Sequence, residues 1–401
     1  MYRILKNFSY LSLIQIVSVL TPFVTYPYII RCFGPEKYGH FIIAFNLFFY
    51  IQIITNYGFE LSATKKISIK RDDIDEVNFI FSVVTSIKIF FLLCTFFTLL
   101  VLPSDESKYL YILIFLYYAS ESLLPTWYFQ GVERMVVMSL SVALSRFSFI
   151  ALVFGLINES SNPIELAYIY LISSLFSFLV CYLYIFKSEK IKFKKITKDE
   201  IIFELKDGFP VFFSRLTAAF NMKIGGVFLG IAVGPSMASY YDLAQKIVDI
   251  LRVPLNMLNQ AIYPRVSKTK EIKLVKIAII ISLVYSLFIM AVFYFFSEDF
   301  LTYFAGDRMN YANEPLKILM LSVPISAISW FIGNTYLLVR GENFHFLVSV
   351  LLGSLLILFL MIFLYWNNAV SLIAISIISV LSAFITLIYR MVVYYGIQKR
   401  S

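Results

Sequence analysis

Long apolar runs, separated by short turn-forming breaks, constrain this chain more than any single motif. A bilayer core takes about 20 apolar residues per helix. By that ruler twelve runs are long enough, at roughly 9–30, 39–62, 78–102, 109–130, 136–157, 164–186, 208–232, 238–262, 274–296, 315–339, 344–366 and 370–392. The breaks carry turn chemistry: Gly34-Pro35, Pro103-Ser104-Asp105, Asn162-Pro163, Gly234-Pro235 and Asn367-Asn368. The runs are continuous and do not alternate as barrel strands do. The expected fold is an all-α polytopic membrane protein of about twelve transmembrane helices.

Composition agrees. Hydrophobic residues make up 60% of the 401 and charged residues 15%, against about 45–50% and about 25% in soluble chains. A soluble enzyme, a disordered chain and a disulfide scaffold are excluded. Cys32, Cys94 and Cys181 form no CxxC pair, and His40 and His345 stand alone, so no metal or cofactor is expected. The first run follows Arg3 and Lys6 but is too long for a signal-peptide core and ends in Tyr26-Pro27-Tyr28 without a small-residue cleavage site. It reads as a retained first helix.

Basic residues set the orientation. With a cytoplasmic N-terminus, 23 of the 34 Lys and Arg fall on the cytoplasmic side, from Arg3 and Lys6 to Arg390, Lys399 and Arg400, and five fall outside. Both termini are then cytoplasmic. The net charge of +9 belongs to the anionic inner leaflet, and nucleic acid is not needed to explain it.

The most hydrophilic stretch, 187–207, is read as a basic cytoplasmic linker, either simply solvated or in contact with lipid headgroups. It separates an N-terminal six-helix bundle, 1–186, from a C-terminal one, 208–401. The halves echo each other: Gly34-Pro35-Glu36-Lys37-Tyr38-Gly39 and Ala44 return as Gly234-Pro235-Ser236-Met237-Ala238-Ser239-Tyr240 and Ala244. Six spans per half give a parallel pseudo-repeat, which suits alternating access.

Six basic residues remain within spans: Lys88, Arg146, Arg215, Lys223, Lys246 and Arg252. Each would cost about 2.5–3.5 kcal/mol facing lipid, so each must face a cavity, a partner or the interface. Glu60, Glu121, Asp242 and Asp249 lie within or near spans as well. In the eighth span Asp242, Lys246, Asp249 and Arg252 fall at about 0°, 40°, 340° and 280° round the helix. That stripe is either a self-neutralising ladder or the wet wall of a transport pathway, which Asn256 and Asn259 extend. In the seventh span no carboxylate offsets Arg215 and Lys223, which invites an anionic ligand. Lys88 and Arg146 share that ambiguity. The first span carries a polar seam of Gln15, Ser18, Pro22, Thr25 and Tyr26, and Pro22 and Pro27 remove amide donors and can bend it. It is either a moving gate or a static kink.

At this point the chain resembles the O-antigen flippases. The resemblance rests on Asn7-Phe8-Ser9-Tyr10-Leu11, Gln15, Pro22 and Tyr26 through Gly39, which includes Arg31. It rests also on Asn56-Tyr57-Gly58-Phe59-Glu60-Leu61-Ser62-Ala63-Thr64 and on Gln260-Ala261-Ile262-Tyr263-Pro264-Arg265-Val266-Ser267. It implies the polysaccharide exporter branch of the multidrug/oligosaccharidyl-lipid/polysaccharide (MOP) superfamily and a MATE-like, V-shaped transporter in the bacterial inner membrane. It implies translocation of a polyprenyl-pyrophosphate-linked oligosaccharide to the periplasmic leaflet through a cationic cavity. Arg215, Lys223, Lys88 and Arg146 are the expected substrate-binding residues. Asp242, Lys246, Asp249, Arg252 and Glu60 are the expected pathway or coupling residues, and Pro22, Pro27 and Arg31 the gate. A proton gradient or the membrane potential would drive transport. Expected partners are the lipid-linked oligosaccharide, membrane lipids and, transiently, polysaccharide assembly proteins.

Two other readings stand beside it. A MATE-like exporter of a cationic drug would favour an acidic interior, against the six basic residues. A membrane polymerase or glycosyltransferase could use Asp73-Ile74-Asp75 as a DxD motif, but no nucleotide-sugar domain accompanies it.

Overall fold

A computed structural model of the chain describes residues 2–101 and 106–398. The turn expected at Pro103-Ser104-Asp105 and the terminal Lys399 and Arg400 lie outside the described residues, as do the side chains of Arg3, Lys6 and Gln15. The first helices are α1 (Tyr2–Asn56), α2 (Phe59–Lys70), α3 (Ile74–Val101), α4 (Glu106–Leu123), α5 (Thr126–Gly131), α6 (Met135–Leu156) and α7 (Pro163–Lys187). Then come α8 (Lys198–Ala232), α9 (Pro235–Thr269), α10 (Ile272–Ala305), α11 (Asn313–Met320), α12 (Ser322–Trp330), α13 (Asn343–Trp366) and α14 (Leu372–Gln398). No strand occurs among the described residues.

Eight helical stretches among the described residues are long and apolar enough to cross a membrane. One of them, Leu20–Lys70, contains the backbone break at Gly34. Helices α8 and α9 are not among the eight, because charged and amide side chains dilute their apolar runs. Phe90, Phe97, Phe295, Phe359 and Trp366 are exposed on helix faces. In water such faces would drive aggregation, but in lipid they are the ordinary outer surface. The protein is an all-α, multi-pass membrane protein.

Local sequence explains where helices start and stop. Asn162 Oδ1 accepts hydrogen bonds from the Ile164 and Glu165 amides at 2.9 and 3.1 Å. Pro163 occupies the first turn of α7, where its missing donor costs nothing. In α1 the backbone stays helical through Pro22 and Pro27 and leaves the helical region at Gly34, with φ 69° and ψ 178°. A side chain there would be strained. Gly234, at φ 139°, plays the same part ahead of Pro235 at the start of α9.

The helices gather into two compact units. The first comprises Met1–Phe33 and Ala44–Ala219, and the second Gly34–Ile43 and Phe220–Ser401. The division therefore falls inside α8, and the start of the second expected span belongs to the second unit. There the two echoed turns meet, since a Cβ on Gly39 would sit on the backbone carbonyl of Pro235.

The first unit is built on an aromatic core of Phe59, Phe81, Trp127, Tyr128 and Phe129, closed by Cys181, Ile185 and Ile191. Between α6 and α7, Ser145 donates to the Ser173 carbonyl and Ser141 meets Cys181 at 3.4 Å. Ser120 of α4 meets Ser174 of α7 at 2.6 Å. Small hydroxyl side chains let the helices approach while the Ser120, Ser141, Ser145 and Ser174 hydroxyls find partners. In the second unit, α9, α10 and α14 surround a wide-turned π segment, Phe331–Leu337, which buries Phe331, Tyr336 and Leu337.

Residues 188–197 are irregular, and α8 begins at Lys198. This stretch is not a loose tether. Ile191 is buried, the Lys192 amide donates to Asn78 Oδ1 at 2.9 Å, and the Lys194 amide donates to Ser82 Oγ at 2.8 Å.

Candidate functional site

The charged side chains expected within spans lie in two groups, one in each unit. In the first unit, Arg215 of α8 forms a hydrogen-bonded ion pair with Glu60 of α2, and both side chains stay about one-third exposed, 35% and 38%. Lys88 of α3 is buried, and its Nζ donates to the Ser122 carbonyl at 2.7 Å and to Asn56 Oδ1 at 3.0 Å. Arg146 of α6 pairs with Glu121 of α4 at 3.2 Å, both largely covered. The stretch Asn56-Tyr57-Gly58-Phe59-Glu60 thus supplies acceptors to two cations. Gly58, at φ 83°, turns the chain between them, and Tyr57 stacks on Phe212 of α8 with ring centroids 4.5 Å apart.

In the second unit the eighth-span stripe is knitted together. Asp242 and Lys246 pair at 2.5 Å one helical turn apart. The buried Tyr38 hydroxyl donates to Asp242 Oδ2 at 2.8 Å and accepts from Lys246 Nζ at 2.6 Å. One turn on, Arg252 pairs with Asp249 at 3.1 Å and donates to Ser322 Oγ at 2.5 Å, while Gln245 donates to Asp249 at 2.9 Å. Lys223 of α8 has Asp242, Lys246 and Asp249 as its charged neighbours. The arrangement compensates charge locally, yet it leaves Arg215 and Glu60 partly open, so a guanidinium can meet an anion without first being dug out. Among the described residues no group of three or more His, Cys, Asp and Glu side chains could hold a metal ion.

Residues 4–270 match the family described as polysaccharide biosynthesis protein. The chain belongs to that family. Two relatives carry the name "Putative O-antigen transporter". The one from Escherichia coli (strain K12) is 31% identical over 283 residues, 69% of this chain and 68% of its own. The one from Shigella dysenteriae is 23% identical over 390 residues, 94% and 98% of the two chains. Among solved structures, an inward-facing MATE family multidrug resistance transporter of the MOP superfamily matches with a TM-score of 0.71 at 14% identity, covering 98% of this chain and 99% of that one. An outward-facing structure of a multidrug resistance MATE family transporter matches with a TM-score of 0.54 at 15% identity, covering 96% and 97%. The fold of the chain is that of MATE-family transporters.

Within this family member the expected residues divide by unit. Arg215, Lys88, Arg146 and Glu60 belong to the first unit, and Lys223, Asp242, Lys246, Asp249 and Arg252 to the second. The expectation that no carboxylate offsets Arg215 holds only within its own helix; the offset comes from Glu60, 155 residues away in sequence. Pro22 and Pro27 lie within helical backbone of α1, and Arg31 is exposed near its break.

Arg390, expected with the cytoplasmic basic residues, lies near the end of the last apolar run. It is buried inside the second unit, with Nη1 donating to the Ser329 carbonyl at 2.8 Å and Nε donating to Ser349 Oγ at 3.0 Å. Its guanidinium lies 4.8 Å from the Phe346 ring centroid and fills the space beside Gly333. Helix α14 runs on to Gln398, so Arg390 is two turns from the helix end. Tyr38 and Asn56 were also not singled out as functional residues. Both lie in the stretches that carry the family resemblance, which was their only sequence signal.

Proposed function

We propose that this protein is a flippase that moves a polyprenyl-pyrophosphate-linked oligosaccharide, an O-antigen or related surface-polysaccharide unit, from the cytoplasmic to the periplasmic leaflet of a bacterial inner membrane. The observation that carries the reading is the relationship to the two O-antigen transporters, one of which aligns over 94% of the chain. The interior charges support it. A diphosphate headgroup cannot enter hydrocarbon unaided, while its lipid tail can remain there. Basic groups inside a helical protein offer the headgroup a substitute for water. Arg215, Lys88 and Arg146 in the first unit and, separately, Lys223 in the second are assigned to headgroup binding, with Pro22, Pro27 and Arg31 at the gate.

Transport proceeds by alternating access without a bound cofactor. The drive is the inside-negative potential, at about 2.3 kcal/mol per charge per 100 mV, or proton exchange at Glu60, Asp242 or Asp249. The cargo is handed on to polysaccharide assembly proteins. The test is leaflet-resolved transport in proteoliposomes loaded with a pyrophosphate-linked oligosaccharide lipid. Protein-dependent flipping that Arg215→Ala and Lys223→Ala abolish, in folded protein, supports the reading. No flipping with any such lipid under any imposed gradient overturns it.

A further inference from the structure

The irregular stretch between α7 and α8 is pinned to α3 at two levels. Asn78 and Ser82 lie four and eight residues beyond Ile74, the first residue of α3. At helical rise those levels are about 6 and 12 Å from the helix start. The headgroup zone on each side of a bilayer is about 5–8 Å deep, so a helix that starts at its outer edge would carry the stretch at and just below headgroup level.

Its side chains match that depth. Lys187, Lys190, Lys192 and Lys195 are exposed, and none forms an ion pair among the described residues. The one acid nearby in the stretch, Glu189, is taken by Arg134 at 2.6 Å, and Lys194 is taken by Asp75 at 2.7 Å. Between the lysines Phe193 remains 55% exposed while its ring leans on Phe81 and Phe186. Phe203, at the start of α8, is 65% exposed. Exposed lysines around an exposed aromatic ring are the signature of an interfacial contact.

We propose that residues 187–198 form a strap that binds the headgroups of anionic phospholipids. The backbone bonds to Asn78 and Ser82 hold the lysines in place before lipid arrives, so little chain entropy is lost on binding. The lysines take the headgroup phosphates, and Phe193 sits among the upper acyl carbons.

The experiment uses the full chain with Phe193→Trp, reconstituted in vesicles containing dibrominated phosphatidylglycerol or dibrominated phosphatidylcholine. The parent protein's quenching is subtracted. At moderate salt, quenching by the phosphatidylglycerol should be at least about threefold stronger. Lys190→Gln, Lys192→Gln and Lys195→Gln combined should erase the difference. About 1 M salt, which shortens the screening length to about 3 Å, should erase it without any lysine substitution, so the test survives a variant that fails to fold. Equal quenching by the two lipids overturns the proposal and leaves the lysines to an acidic protein surface. A preference that outlasts both the lysine substitutions and the salt overturns it too, because its source is then elsewhere.

Discussion

The Tyr38 hydroxyl donates a 2.8 Å hydrogen bond to Asp242, 204 residues away in sequence, and so ties the start of the second expected span to α9. The same oxygen accepts from Lys246. Tyr38→Phe removes both bonds and leaves a buried ion pair with fewer partners. The expected cost is about 1–3 kcal/mol, read as a fall in the thermal midpoint of the detergent-solubilised protein. An unchanged midpoint would mean that Tyr38 is held by packing alone.

Asp242 and Lys246 test whether the stripe is structural or functional. Removing one partner of a buried pair strands the other charge, at about 3–5 kcal/mol, whereas replacing both with apolar groups is close to neutral. Asp242→Leu and Lys246→Met should therefore each destabilise, and the double variant should recover most of the loss. If the double variant regains stability but not transport, the pair serves transport. If it regains both, the pair is only a ladder.

Arg215 and Glu60 separate pairing from binding. Both are partly exposed, so either alanine substitution should cost stability only about 0–1 kcal/mol. The charge-swapped protein, Glu60→Arg with Arg215→Glu, keeps the pair but moves the cation. It should fold normally and lose most flipping. Full transport by the swapped protein would show that the pair matters only as a pair.

Gly39 has no room for a side chain against the Pro235 carbonyl. Gly39→Ala should displace one echoed turn from the other at about 1–3 kcal/mol. Gly155, whose Cβ would meet open space, is the control: Gly155→Ala should hold or raise the thermal midpoint. Equal midpoints for the two variants would remove the argument from close packing.

Arg390 holds Ser329 and Ser349 from beside the π segment. Arg390→Ala should cost about 2–4 kcal/mol, because it leaves buried acceptors without donors and opens a void. Arg390→Lys should recover part of that, since the lysine keeps a donor and most of the stem. Equal loss with lysine and alanine would mean that the planar fork, not the charge, does the holding.

The class of the molecule was legible without coordinates. Runs of about 20 apolar residues admit few folds, since backbone polar groups in lipid must be satisfied within the helix. The turns at Gly34-Pro35 and Gly234-Pro235 were legible for a related reason. A positive φ before a proline-led helix is a local property, set by a few neighbouring residues. Pro22 and Pro27 lie in backbone that keeps helical angles, and the sequence alone does not decide between a moving gate and a static kink there. Which charge faces which could not be read along the chain. Arg215 meets Glu60 across 155 residues and Tyr38 meets Asp242 across 204. That Arg390 is enclosed by Ser329, Ser349 and Phe346 could not be read from its distance to a helix end, which says nothing about what packs beside it. Periodicity places a side chain on a face of its own helix. Whether that face meets lipid, water or a partner depends on helices far away in sequence, and only their packing settles it.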